Sequence, residues 1–152
     1  MTRLLGIDLG SVRIGIAVAD TETGRIRPVS TIRRTTPARD RTVIARLVAE
    51  NDVDEIVVGL PLSLDGGVGP QAAVTREWAD HVLADIGLPV GWRDERLTTE
   101  RALTIVGGAG RGSSGGPPST PARRAHRARL DREAAALILQ AELDARAGIE
   151  AR

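Results

Sequence analysis

Two apolar runs open the chain, residues 3–9 and 12–20, and they meet at Gly10-Ser11. In the second run Val12, Ile14, Ile16 and Val18 alternate with Arg13, Gly15, Ala17 and Ala19. A period of two residues is that of a β-strand, and here it sets a branched face against a small-residue face. Together the runs predict a β-hairpin. A third strand is expected over Ile26–Ile32. Pro28 within it has no N–H to give a neighbour, which implies a sheet edge or a bulge.

The period then lengthens. Val43, Ile44, Leu47 and Val48 share one face of a helix over about 39–51. Ile56-Val57-Val58 is uninterrupted by polar residues and ends at Gly59-Leu60-Pro61, as in a central strand covered on both faces. A Gly-rich loop, Ser63 to Gly69, precedes a helix from about Pro70, with Val74, Trp78, Val82 and Ile86 at i+4 steps. A short strand, Pro89 to Arg93, leads to a helix from Thr98 to about Val106, with Thr98 as its N-cap. Residues 107–122 are almost all Gly, Ser, Pro, Thr and Ala, the composition of a flexible loop. The final helix is expected to start near Asp131 and to turn Ala135, Ile138, Leu139 and Leu143 inward. The order β-β-β-α-β-α-β-α-α implies an α/β fold. Its five-stranded mixed sheet has three antiparallel strands, then two parallel ones, and is flanked by helices. Residues 1–152 suit a single domain large enough to bury a core.

Composition narrows the chemistry. With no Phe, no Tyr and two Trp, the core must rest on Val, Ile, Leu and Ala. The absence of Cys excludes disulfides, thiolate metal sites and cysteine nucleophiles, and suits a cytoplasmic protein. No stretch approaches the ~20 apolar residues needed to span a bilayer, so no membrane partner is expected. The net charge of +1 is unevenly spread. Residues 107–130 hold five Arg and no acid, which leaves sixteen Arg against twenty acids elsewhere, a net of −4. Such asymmetry suggests an acidic body with one cationic arm, at 123–129.

Three carboxylates invite a chemical reading, and each has a plainer one. Asp8 lies inside an apolar strand on the side of Gly6, where it must be solvated, paired or metal-bound; a turn-forming Asp beside Gly10-Ser11 is the alternative. Glu95 follows the fifth strand between Asp94 and Arg96. Strand alternation sends Asp94 and Glu95 to opposite sides, so one of them faces the crevice where open α/β sheets bind ligands; a surface acid is the alternative. Asp131 shares a helical face with Ala135, Ile138 and Leu139, and is otherwise a helix N-cap. If the three converge, they offer oxygen-only ligands, which suit Mg²⁺ or Mn²⁺ and not Zn²⁺. His81 and His126 are too far apart in sequence to build a zinc or Cys-His site alone.

The motifs of the chain resemble those of the YqgF family. Gly6-Ile7-Asp8-Leu9-Gly10-Ser11 with Arg13-Ile14-Gly15-Ile16-Ala17 and Asp20 is similar to its first motif. Val58-Gly59-Leu60-Pro61-Leu62 with Asp65-Gly66, Asp94-Glu95-Arg96-Leu97-Thr98-Thr99, and Asp131 with Ala134-Ala135 and Ile138-Leu139-Gln140 follow in order. These are bacterial Holliday-junction-resolvase-like proteins, also described as pre-16S rRNA nucleases. The resemblance implies a ribonuclease-H-like fold and divalent-metal cleavage of nucleic acid, with the acidic positions on Asp8, Glu95 and Asp131. Val12 stands where many relatives carry Lys.

Substrate contacts are expected from Arg13 and Arg96 and from the arm, Arg123, Arg124, Arg127 and Arg129. Four Arg in seven residues suit sequence-independent phosphate binding; a solvated charge run at a helix entrance is the alternative. With Trp78 expected in the core, stacking platforms for single strands are few, and structured RNA or branched DNA is the expected partner. The protein is expected to act as a monomer, or as a homodimer if two sites must engage one junction. Two other functions fit parts of the pattern. A sugar-kinase or actin-like ATPase opens with a similar Gly-Ile-Asp-Leu-Gly hairpin but needs two domains, and a ribosome-assembly factor would bind without cutting.

Overall fold

The computed structural model describes residues 2–61, 69–94 and 120–148, with side chains in the last segment from residue 133. Its elements are β1 (Arg3–Leu9), β2 (Arg13–Asp20), β3 (Ile26–Arg33), α1 (Pro37–Glu50), β4 (Glu55–Leu60) and α2 (Pro70–Val82). A 3₁₀ turn (Ala84–Ile86), β5 (Val90–Asp94) and α3 (Thr120–Arg146) follow.

The alternating segment pairs as it predicts. β1 and β2 are antiparallel with Leu5 opposite Val18 and Asp8 opposite Gly15. The Gly10 N–H donates to the Arg13 carbonyl at 2.8 Å to close the hairpin. A Cβ on Gly10 would sit 2.8 Å from that same oxygen, so the closure requires glycine. β3 pairs with β2 with a register shift between Ile16 and Ala17, and it forms a sheet edge, so Pro28 sits at an edge beside a bulge. β1–β4 and β4–β5 are parallel, giving the order β3-β2-β1-β4-β5, the mixed sheet expected from the sequence.

Each sheet face has its own cover. Leu5, Ile7, Ile14, Ile16, Ile56 and Val58 pack against α1 and α2 through Ile44, Leu47, Trp78 and Val82. Leu4, Ala17, Ala19 and Val57 pack against Ala135, Ile138 and Leu139 of α3. Each fully buried Leu or Ile contributes about 1.5–3 kcal/mol. The small-residue face of β2 is therefore the face that receives α3.

Three expectations need correction. α3 begins at Thr120, not near Asp131, so residues 120–122 are helical and Asp131 is not a helix cap. Pro121 in the first turn and the Ala/Arg run after it favour helix, but residues 123–129 lack the apolar stripe that would have revealed it. Val74 is 45% exposed; α2 buries Ala72, Thr75, Trp78, Ala79 and Val82 instead. The helix ends at Val82, and Ile86 belongs to the 3₁₀ turn. The helix expected over 98–106, the loop at 63–68 and residues 107–119 lie outside the described residues.

One acid, Asp40 in the first turn of α1, is buried among the described residues. Asp40 is 2% exposed, and its carboxylate accepts from the Thr35 N–H at 3.0 Å, the Thr35 hydroxyl at 3.1 Å and Trp78 Nε1 at 3.2 Å. It thus ties the β3–α1 junction to α2. Asp40→Ala is expected to lower unfolding free energy by about 3 kcal/mol, because it strands the buried indole N–H and the Thr35 donors. Urea denaturation followed by tryptophan fluorescence measures it; a loss below about 0.5 kcal/mol, the range of plain surface changes, would contradict the assignment.

Candidate functional site

β1, β4 and β5 run parallel, so Leu9, Leu60 and Asp94 end at one edge of the sheet. Open sheets bind ligands outside the carboxyl ends of their strands. Asp8 is half-buried at this edge and alternates with Leu4 and Gly6, which puts it on the α3 face. Its row continues across Gly15 of β2 and Thr31 of β3. Gly15 carries no side chain, so the position beside Asp8 on this face stays low.

Gly6 sets how close α3 comes. A Cβ there would lie 2.6 Å from Leu139 Cγ and 2.9 Å from the Ala135 carbonyl oxygen. The helix thus rests on bare strand backbone. Its far end is clasped across the sheet: Arg93 Nε donates to Glu142 at 2.6 Å, and Arg146 bonds both Glu55 and Glu142. The Glu55 hydrogen bond, against the opposing effect of burial, raises the Arg146 guanidinium above its ordinary range, so the clasp stays charged at working pH. Glu55 is in register with Leu4, two residues before Gly6, so α3 runs from the Gly6 contact back toward the start of β1. Asp131, one turn before Ala135, is displaced the other way, in the direction that β1 takes from Gly6 to Asp8. One helical turn rises about 5.4 Å and two strand residues about 6.6 Å, so the two steps are similar in length.

The remaining expected residues divide as follows. Asp94 keeps the parity of Val90 and Trp92, which pack toward α1 and α2, so it belongs to the face opposite Asp8. Glu95 and Arg96 lie outside the described residues. Arg13 is half-buried at the start of β2, on the Asp8 face and one row further out. Arg123, Arg124, Arg127 and Arg129 lie on α3 before Asp131; their side chains, like that of Asp131, are outside the described part. Trp78 is core, as expected. Sequence reasoning missed Arg33 and Arg34, which end β3 and follow it at the same edge. Reading the strand alternation one step past Ile32 would have put Arg33 on the Asp8 face.

Among the described residues no three His, Asp or Glu groups come together as a metal site, and Asp8 is the one expected ligand whose side chain is described. Its setting fits a hard cation. Among the described side chains the one histidine, His81, is exposed on α2, across the sheet, and faces Glu77 at 3.9 Å. The chain has no cysteine, so the described side chains offer only oxygen donors at the Asp8 edge. Among the described residues no helix is long and apolar enough to cross a membrane.

Comparison with known proteins agrees with this architecture. The model of the RuvX family, described as Holliday junction resolvase, matches residues 2–145. A protein of Anaeromyxobacter sp. (strain K), named "Putative pre-16S rRNA nuclease", is 43% identical over 145 residues, which is 95% of this chain and 98% of that one. A protein of the same name from Moorella thermoacetica is 39% identical over 142 residues, covering 93% and 94%. Among solved structures, T. thermophilus RuvC in complex with Holliday junction substrate aligns at TM-score 0.56 and 18% identity over 98% of both chains. The fowlpox virus Holliday junction resolvase aligns at 0.52 and 13% identity, over 95% of this chain and 99% of its own. The fold is the ribonuclease-H-like one that the sequence implied, and the family resemblance is borne out.

Gly6→Ala tests the seat of α3. It is expected to cost about 1–3 kcal/mol in urea denaturation, as overpacking does, since the Ala135 carbonyl cannot swing aside. Leu139→Ala in the same chain should recover part of that loss, giving non-additive effects. Wild-type stability for Gly6→Ala would mean that α3 does not rest on this residue.

Proposed function

We propose, for a chain that belongs to the RuvX family of Holliday junction resolvases, a nuclease activity that cleaves phosphodiester bonds of structured nucleic acid. Its substrate is the precursor of 16S rRNA, trimmed at the 5′ end during ribosome biogenesis in the cytoplasm. One observation carries the chemistry: a half-buried carboxylate, Asp8, stands at the carboxyl edge of the parallel strands on the face that α3 covers. The names of relatives about 40% identical over nearly the whole chain support RNA maturation. The description of the family model favours a second reading, resolution of branched DNA.

In the proposed site Asp8, Glu95 and Asp131 hold Mg²⁺ or Mn²⁺. The parity of Asp94 supports Glu95 as the member from β5, and the course of α3 past Gly6 supports Asp131. Bound there, such a cation supplies Lewis acidity toward the scissile phosphate and lowers the pKa of a water. The chain's own residues do the rest. Asp8 fixes the cation relative to the sheet, and the low position at Gly15 leaves room for a phosphate beside it. Arg13 and Arg96 orient the backbone near the cut, and Arg123, Arg124, Arg127 and Arg129 hold phosphates further along.

Cleavage of end-labelled 16S precursor leader RNA and of a four-way DNA junction, each with Mg²⁺ or Mn²⁺, tests this. Wild type is expected to cut the RNA faster than the junction, and EDTA to abolish cutting. Asp8→Asn should lower the rate by more than the 10–100-fold typical of outer-shell partners, with no loss of thermal stability. If wild type cuts neither substrate, or Asp8→Asn cuts equally well, the proposal fails. Faster cutting of the junction would select the second reading.

A further inference from the structure

The β2–β3 register sets Arg13 directly opposite Arg33. Opposed residues on antiparallel strands hold their Cβ atoms about 4.5–5.5 Å apart, and like charges so placed destabilise the pair. Arg33 is exposed and has no carboxylate partner among the described residues. The fold nevertheless fixes the backbone around it firmly. The Arg34 N–H donates to the Val12 carbonyl at 2.8 Å, and Arg34 Nη1 donates to the Gly10 carbonyl at 3.3 Å. The next residue, Thr35, is bound through its N–H and hydroxyl to buried Asp40, which Trp78 holds from the other side. Two arginines are thus anchored beside the hairpin tip, the first of them in register with Arg13.

The position follows from the site. Arg13 and Arg33 form the row next outward from Asp8, Gly15 and Thr31, about 7 Å along the strands. Both lie on the Asp8 face, and α3 packs across β2 and β3 as well as β1. A polyanion approaching Asp8 meets a chain that, outside residues 107–130, is net negative. Guanidinium groups at that edge offset the repulsion and match the planar fork of a phosphate. Resting on the nuclease reading above, we infer that Arg33, held in place by the bonds of Arg34, forms a backbone-binding point. It grips substrate phosphates flanking the scissile one on the β3 side of Asp8.

The test measures binding of 16S precursor leader RNA by full-length Asp8→Asn protein, which does not cut, between roughly 50 and 200 mM salt. Adding Arg33→Gln is expected to weaken binding about fivefold near 0.15 M salt and to reduce the log–log salt slope by about 0.7–0.9, one phosphate's worth. Arg34→Gln should act in the same direction, Arg33→Lys should keep most of the slope, and Arg25→Gln, at the opposite end of the sheet, should change neither. The melting temperature of Arg33→Gln should stay level, because Arg33 is exposed. An unchanged affinity and slope overturns the inference while leaving the nuclease reading intact, and so does a loss of affinity that tracks a lower melting temperature. Failure of the parent protein to bind this RNA or a four-way junction at all overturns both.

Discussion

The closeness of α3 to β1 at Gly6 is the constraint on which the rest of the site depends. Any side chain larger than hydrogen would collide with Leu139 and with the backbone carbonyl of Ala135, which belongs to the helix itself and cannot rotate away. The small residues Ala17 and Ala19 on β2 extend the same low floor. The helix seated there is clasped further along its length at Glu55 and Glu142. In the proposed site, that one glycine sets the spacing between Asp8 and Asp131, two acids far apart in sequence.

The second consequence is electrostatic. A site built from carboxylates repels the polyanion it is proposed to cut, and the fold answers by gathering cations around that edge. Arg13 and Arg33 face one another across β2 and β3, and Arg34 bonds the hairpin through the Gly10 carbonyl. Asp40 contributes without touching the edge. Buried in the first turn of α1 and holding Thr35 and Trp78, it stiffens the junction that presents Arg33 and Arg34.

Much of this was legible in the residues, for reasons that differ by element. The period of two in 13–20 gave both the strand and the face that receives α3, and Pro28 marked the edge strand through its missing N–H. Asp8 stood out because an acid in an apolar strand needs an explanation, and the same alternation separates Asp94 from the Asp8 face. Other features left no local trace. The first half of α3 is Arg and Ala with no apolar stripe, so nothing periodic announced a helix before Asp131. Val74 fits an i+4 series, yet α2 buries Ala72 and Thr75 and leaves Val74 exposed. Gly6 reads as a turn-prone strand residue until the helix that needs it is in place. The Arg13–Arg33 pairing depends on a bulge between Ile16 and Ala17, which no single strand encodes.

Convergence of acids from β1 and α3 on one hard cation is the central claim, and Mn²⁺ binding tests it without relying on any choice of substrate. Titration of the full chain followed by electron paramagnetic resonance should show bound Mn²⁺ in wild type and a weakened site in both Asp8→Asn and Asp131→Asn. The double variant should bind little worse than either single one, because groups that share a ligand act non-additively. Wild-type Mn²⁺ binding by Asp131→Asn would contradict the claim, since it would leave Asp8 without its partner from the helix.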